Sequence, residues 1–409
     1  MTKKISLLAV ATLLVATTAY CSGYRIPEQS VNSTALSGAY AAHTPGADAS
    51  YFNPANMAWQ EDRWQLEADL TYINLPSVTY TDRTTAANNG GSRTEDFLVP
   101  QLFIVSPTYG NFRFGFAVTH PAGLSKRWDA AYPRRSAEDF TLKVTEANPT
   151  VSYQFCDRFA LAAGARLLYA TGEVRSFRDY GGGLIARRDL EGDTTEWGYN
   201  LALTAKPIEA WTVSATYRSG VNLDLEGDAR LAAPAAPPYS GYAAVRVPVP
   251  AVLTLATAYT FDRTTVELTY DKTFWNAYDK LDFNYSYALS GNLLAFDNPV
   301  PKNWVNTEAY RIGVTHQLND SWTLMAGFAI DRNPVPDNTL GFELPDADAR
   351  LYSCGARYKY SDQLDLGVGY LYDDKESRTI PANAGNSTID GTFTDGGAHL
   401  LSVAAQYKF

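Results

Sequence analysis

Histidine, cysteine and methionine are scarce, at four, three and three in 409 residues. An enzyme needs a nucleophile, a base and an orienting group in reach of one another. His43, His120, His316 and His399 stand in no recognisable spacing with Ser, Asp or metal ligands. No catalytic residue, no metal site and no cofactor is therefore expected. Cys21 falls in the leader, which leaves Cys156 and Cys354 as two isolated residues in strand-like contexts. An oxidising compartment would also permit a disulfide between them. Basic surplus is missing as well: 34 Lys+Arg against 44 Asp+Glu gives a net charge of -10. With no basic stripe, nucleic acid is excluded as a partner. Past the leader no run reaches the roughly 18 apolar residues that a transmembrane helix requires. The mean hydropathy of -0.23 looks soluble, yet it also suits a β-barrel, because half of each strand faces a polar lumen.

The chain opens MTKKISLLAVATLLVATTAYCSG, with Lys3 and Lys4, an apolar run from Ile5 to Ala16, then small residues. That is the pattern of a secretory signal, with cleavage expected between Cys21 and Tyr24. Cys21 also allows a lipoprotein reading, although Tyr20 stands where a small residue is wanted. Losing residues 1–22 removes two lysines and no acid, so the mature charge is -12. Residues 23–63 follow, rich in Ala, Ser, Gly, Asn and Pro and without a sustained period of two. A small-residue segment at the head of a barrel can fold inside the lumen. We therefore divide the chain into a signal peptide (1–22), a plug or hatch (23–63) and a barrel (64–409).

From Trp64 onward the period is two. Trp64, Leu66, Ala68, Leu70 and Tyr72 alternate with Gln65, Glu67, Asp69 and Thr71, the mark of a strand with one apolar and one polar face. Near Trp211 the apolar set runs Trp211, Val213, Ala215, Tyr217, Val221 and Leu223, with Arg218, Asn222 and Asp224 on the polar side. The connections are more informative than the strands. Short ones lie at 107–111, 156–158, 206–210, 261–264, 318–321 and 360–363. Long polar ones lie at 81–96, 121–140, 176–194, 227–246, 283–303, 333–348 and 373–395. They alternate strictly, which predicts fourteen strands. An even count with short turns at one end and long loops at the other describes an all-β, antiparallel, transmembrane barrel of the Gram-negative outer membrane. The final Phe409 closes an amphipathic strand, and closure satisfies the edge hydrogen bonds that lipid leaves unmet.

Aromatics gather near strand ends (Trp64, Tyr72, Tyr109, Trp211, Tyr217, Tyr259, Trp322, Tyr358, Tyr370, Tyr372). They read as two interfacial girdles, or as ordinary strand propensity. Parity assigns Glu67, Asp69, Arg166, Arg218, Asp224, Glu267, Asp271, Arg311, Arg357 and Asp365 to the lumen. Both signs are present, so these groups can pair with one another or with the plug.

Several ordered motifs carry a resemblance. They are Asn53-Pro54-Ala55, the VPQ…HPAGLSKRW of Val99–Trp128, GYNLALTAKP (Gly198–Pro207) and TYRSGVNLDLEGDA (Thr216–Ala229). NDSWTLMAGFAIDRNPVPD (Asn319–Asp337) and LPDADAR (Leu344–Arg350) complete the set. Together they resemble the FadL/TodX (OmpP1) family of outer-membrane transporters, over about Gly23–Phe409. The resemblance implies a fourteen-stranded barrel with an N-terminal hatch, a monomer, and passive uptake of long-chain fatty acids or other hydrophobic small molecules. It also implies lateral exit at an inward kink of the third strand into the surrounding outer-membrane lipid and lipopolysaccharide. Here the third strand is read as Asn111–Pro121, with Gly115 inside it and Pro121 and Gly123 directly after. Gly and Pro mark kinks and missing ladder bonds, though a strand ending at a loop also explains Pro121 and Gly123. Asn53-Pro54-Ala55 is expected to close the plug against that kink.

An acyl chain gains roughly 0.8 kcal/mol per methylene kept out of water, so its carrier needs an apolar track and a side exit. The loops LAAPAAPPYSGY (Leu231–Tyr242) and YSYALSGNLLAF (Tyr285–Phe296) suit capture, or pack on each other. A fatty-acid carboxylate would want an inward arginine, and Arg166, Arg311 and Arg218 are the candidates. A neutral aromatic or alkane substrate would need none. An outer-membrane enzyme and an open general porin are the remaining readings; the plug opposes the second.

Overall fold

A computed structural model describes residues 23–409, so the expected signal peptide lies outside the described residues. Fourteen antiparallel strands form the wall. They are β1 (Gln65–Leu75), β2 (Glu95–Val105), β3 (Phe112–Arg127), β4 (Asp139–Cys156), β5 (Phe159–Asp179) and β6 (Ile185–Ile208). Then come β7 (Trp211–Arg218 and Val221–Ala232), β8 (Tyr239–Val249 and Val252–Phe261), β9 (Thr264–Thr273), β10 (Thr307–Gln317), β11 (Trp322–Asp331), β12 (Ala349–Lys359), β13 (Leu364–Lys375) and β14 (Gly397–Lys408). Each pairs with its sequence neighbour, and β14 closes on β1 from Gln65↔Lys408 to Asn74↔His399. Leu66, Ala68, Leu70 and Tyr72 share the outer face of β1 because a strand alternates sides at every residue. Exposed rings lie near both ends of the strands, among them Trp64, Tyr109, Trp211 and Trp322 at the short-turn end and Tyr72, Tyr310 and Tyr370 toward the other.

Strands β3 to β6 run far past the bilayer. β6 has 24 residues, about 80 Å of path, whereas a membrane strand needs about 9–11 residues. The excess stands on the long-loop side. Three of the expected long loops are accordingly shorter than the sequence pattern suggests, and the third strand extends to Arg127 rather than ending at Pro121. The two outermost loops, 76–94 and 376–396, join in a small sheet through Thr79–Asp82, Gly90–Gly91, Arg378–Thr379 and Gly391–Thr394.

The N-terminal segment lies within the ring, bonded to inward side chains on every side. The Val31 N–H donates to Asp69 of β1 at 2.7 Å, and Thr34 meets Ser402 of β14 at 3.0 Å. The N–H groups of Ala41, Ala42 and His43 all donate to the Glu267 carboxylate of β9, at 2.6, 2.8 and 2.8 Å. Arg357 of β12 pairs with Glu67 and donates to Asn32 at 2.6 Å. The segment is almost wholly buried and carries little regular structure, two short helices at Val31–Ala35 and Ala49–Phe52. Small residues therefore let its backbone reach the wall, whose polar side chains replace the missing ladder bonds.

One parity assignment fails. Asp224 faces outward and pairs with Arg246 at 2.5 Å, while Val221, Leu223 and Leu225 face in. β7 is interrupted at Ser219–Gly220, opposite the interruption of β8 at Pro250–Ala251. Two residues outside the ladder turn the strand over. The sequence keeps its alternation while the sides exchange, so nothing in the pattern betrays the flip.

Candidate functional site

β2 and β3 pair over four positions only, Leu102↔Val118 to Val105↔Gly115, and then part. β3 shifts register between Thr119 and Ala122 against β4. Pro121 has no N–H to give a neighbouring strand. The freed backbone turns inward and is met by the N-terminal segment. The Ile26 N–H donates to the Pro121 carbonyl at 2.9 Å, and the Gly123 N–H donates to the Tyr24 carbonyl at 3.0 Å. Gln29 clamps the bend with both ends of its amide: Nε2 donates to the His120 carbonyl at 2.9 Å, and the His120 N–H donates to Oε1 at 2.7 Å. The His120 ring bridges to the Pro100 carbonyl of β2 at 3.1 Å.

Pro121 and Gly123 thus lie at the bend, and a Cβ on Gly123 would press on Ile26 at 3.3 Å. Gly115 lies below it, still in the ladder. A Cβ there would stand 2.6 Å from Met57 Sδ and 2.8 Å from Ser50 Cβ, so its bareness serves close packing of the N-terminal segment. Asn53-Pro54-Ala55 does not reach the bend. Asn53 Nδ2 donates to the Ala41 carbonyl at 2.7 Å and to Thr204 of β6 at 2.8 Å, and Ala55 packs on Ala160, Ala162 and Ala202 of β5 and β6. Pro54 starts a 3-10 turn capped by Asn53, and that turn points the motif at β5 and β6, beside and below the bend, while its Met57 packs against Gly115 of β3. The residues at the bend are Tyr24, Ile26 and Gln29, and a sequence rule for backbone pairing within a lumen does not exist.

Above the bend an apolar cavity opens between β3–β8 and the long loops. It encloses about 820 Å³, open solvent at its mouth included. Leu142, Val174, Leu190, Leu225 and Val247 line it from the strands; Tyr278, Phe283, Trp304 and Val335 come from loops. Tyr24 is its floor, with its ring 4.7 Å from Trp275 and 5.6 Å from Trp304 and its hydroxyl donating to the Pro248 carbonyl at 2.5 Å. Burial pushes the Tyr278 phenol far up, so it stays neutral. A second cavity, about 1660 Å³ with its open solvent, shares Tyr24, Leu124 and Leu142 and passes between β2 and β3, bounded there by Leu98, Pro100 and His120. The loops Leu231–Tyr242 and Tyr285–Phe296 pack on each other, through Tyr287 to Ser240 at 3.1 Å and Asn292 to Pro234 at 2.7 Å, yet leave Tyr242, Tyr287 and Leu294 exposed.

The three arginines singled out for a carboxylate sit below both cavities' apolar walls, and each is held by acids of the chain. Arg166 donates to Glu146 at 2.8 and 2.9 Å, and Arg218 pairs with the same carboxylate while lying 4.1 Å over the Tyr51 ring. Arg311 meets Asp331 at 2.9 Å, Asp271 at 3.2 Å and Glu28 at 3.8 Å. Glu146 belongs to the neighbouring strand, so scanning the inward row of β5 alone misses it.

Two cations at the upper cavity escaped the sequence reading. Lys302, buried, pairs with Glu343. Burial pushes that carboxyl up, but the charge and hydrogen bond of Lys302, with a backbone hydrogen bond and the Arg188 charge, together hold it below its ordinary value. Arg188 of β6 lies 5.0 Å over the Phe283 ring, and its Nε is buried without a hydrogen-bond partner. Lys302 and Glu343 come from separate loops, and no local pattern joins them.

The family whose model is described as outer membrane protein transport protein (OMPP1/FadL/TodX) matches residues 12–409. The chain belongs to the FadL/TodX family. The long-chain fatty acid transport protein of Escherichia coli K12 is 25% identical over 99% of this chain and 98% of its own. Among solved structures, a Pseudomonas aeruginosa FadL homologue superposes with a TM-score of 0.83 at 19% identity, covering 95% of this chain and 100% of its own. The toluene transporter TodX of P. putida gives 0.73 at 19%, covering 93% and 98%. As a FadL/TodX protein, this chain is an integral outer-membrane channel for hydrophobic compounds, not an enzyme.

Proposed function

We propose that this FadL/TodX channel takes up long-chain fatty acids, with the carboxylate held at the rim of the upper cavity. The observation that carries the reading is Arg188. It is a half-buried guanidinium whose Nε is buried without a hydrogen-bond partner, and it stacks behind Phe283, one of the rings that line this largely apolar cavity. A buried polar group without a partner is costly, and a carboxylate would supply one in a geometry that suits its fork. Lys302 lies on the cavity lining itself. The acyl chain displaces water from the apolar wall and moves down the gradient of apolar surface past Tyr24. It then leaves sideways between β2 and β3 into lipid of the outer leaflet, without crossing an aqueous pore. Residues 23–63 act as the plug that denies the straight route to the periplasm, and the exposed Tyr242, Tyr287 and Leu294 of the long loops make first contact. The barrel works as a monomer.

One observation favours a second reading, a neutral hydrocarbon: Lys302 is already neutralised by Glu343. Equilibrium binding of oleate and of toluene to the protein in lipid nanodiscs separates the two. The fatty-acid reading expects Arg188→Met to weaken oleate by about tenfold and leave toluene unchanged. Tight toluene binding, with oleate weak in the wild type, would sink it.

A further inference from the structure

The second cavity, the one that runs through the gap between β2 and β3, holds a buried charge that no side chain bonds to among the described residues. Lys126 follows the bend of β3, opposite Phe140 of β4, and its side chain faces inward beside Leu124 and Leu142. It is only 7% exposed. Lys302, Arg311 and Arg357, its counterparts elsewhere in the lumen, each bond to a carboxylate; the Lys126 ammonium makes no hydrogen bond or ion pair among the described residues. The charged groups around it come near without bonding to it. Glu95, at the head of β2, lies 3.7 Å from Arg127; both its oxygens are buried without a hydrogen bond, and its charge attracts Lys126 without bonding to it. Lys375 of β13 is bound to Asp346 at 2.5 Å. A buried ammonium without a partner is retained only at a cost, and here its tip points into a passage open to lipid.

We propose that Lys126 is a docking point for an anionic head group inside the lateral opening, distinct from the upper-cavity rim. The inference rests on the fatty-acid reading. The acyl chain would lie along Leu124, Leu142 and Val144 toward the gap while its carboxylate rests on Lys126. The head then need not enter the apolar passage unpaired, where a bare charge is most expensive. The upper cavity selects and the opening hands over, each with its own cation.

The test compares oleate with oleyl alcohol, which has the same chain and no charge. Initial uptake is measured in cells carrying equal surface amounts of wild type, Lys126→Met and Lys126→Arg, with folding checked by heat-modifiable mobility. We expect oleate uptake to fall about tenfold in Lys126→Met, to return in Lys126→Arg, and oleyl alcohol uptake to stay at the wild-type rate. Oleate affinity at the upper cavity should not change. Should Lys126→Met fail to reach the surface, Lys126→Gln carries the same expectation. Equal loss for both probes would make Lys126 a packing residue, and no loss for either would make it a bystander; either result overturns the docking site while the fatty-acid reading stands. A wild type that takes up oleyl alcohol but no oleate would overturn both.

Discussion

The lower and upper halves of this barrel are built inside out relative to each other. In the lower half the outer face is apolar and the lumen polar: on β5, Leu161, Ala163 and Leu167 turn out while Arg166 turns in, buried. In the upper half Glu173 and Arg175 turn out, and Leu168, Ala170 and Val174 turn in. The exchange follows the surroundings. Lipid bathes the lower outer face and water the upper one, and each half buries what its medium rejects. β5 makes the change in sequence, by switching which parity is apolar between Leu167 and Leu168. β7 makes it in backbone, by the break at Ser219–Gly220 with the apolar parity unchanged. The lower lumen is thereby free to be cross-braced by charges, and the upper one to be a dry pocket.

If that division holds, removing a lower cation should be the most damaging change of all. Arg311→Met leaves Asp271, Asp331 and Glu28 buried beside one another, and breaking such a network costs about 3–5 kcal/mol. The expected outcome is loss of most of the folded species in urea titrations followed by heat-modifiable mobility; an unshifted midpoint would deny the bracing role. The reciprocal change in the upper half, Leu225→Asp, should spare the barrel and damage binding. A carboxylate in a dry cavity repels an acyl chain, and hydrophobic ligand affinity should fall by about a hundredfold with the urea midpoint little altered. Equal effects on both would erase the difference between the halves.

A smaller effect comes from the rim. Asp348, in the loop before β12, has its carboxyl raised to about 7 by burial and then by Glu376 and Asp346. A group raised in the folded state adds stability that is present below its ordinary value of 3.8 and is lost as pH rises through about 7. Amide protection of residues 333–348 should therefore be greater at pH 5 than at pH 8, after correction for intrinsic exchange. Asp348→Asn should remove the difference, and its persistence there would assign the effect elsewhere. Smallest of all is the surface pair Asp224–Arg246. Asp224→Cys should leave stability unchanged and react with an impermeant maleimide on whole cells, whereas Leu223→Cys should be shielded. The reverse labelling would mean that β7 does not turn over.

Much of the architecture was legible residue by residue. Fourteen strands, their order, the alternation of short turns and long loops and the closure of β14 on β1 follow from local composition. A strand that meets lipid on one side and a lumen on the other must alternate, and a turn must carry turn residues. The bend of β3 is expected through the family resemblance and not from composition; Pro121 stands at it, with its missing donor, and the Gly123 N–H turns to Tyr24. What the sequence could not decide are relations between segments far apart. Glu146, not Asp224, neutralises Arg218, because partners in a lumen are set by adjacency around the ring and not along a strand. Gln29 and Tyr24 meet the bend and Asn53 does not, because an irregular segment bonds wherever its backbone arrives. Lys302 and Glu343 meet from two loops, and no carboxylate bonds to Arg188 or Lys126 among the described residues, because which distant side chains meet is settled only when the barrel closes. The alternation is a property of each strand in its solvent; the pairings and the unpaired charges belong to the closed barrel.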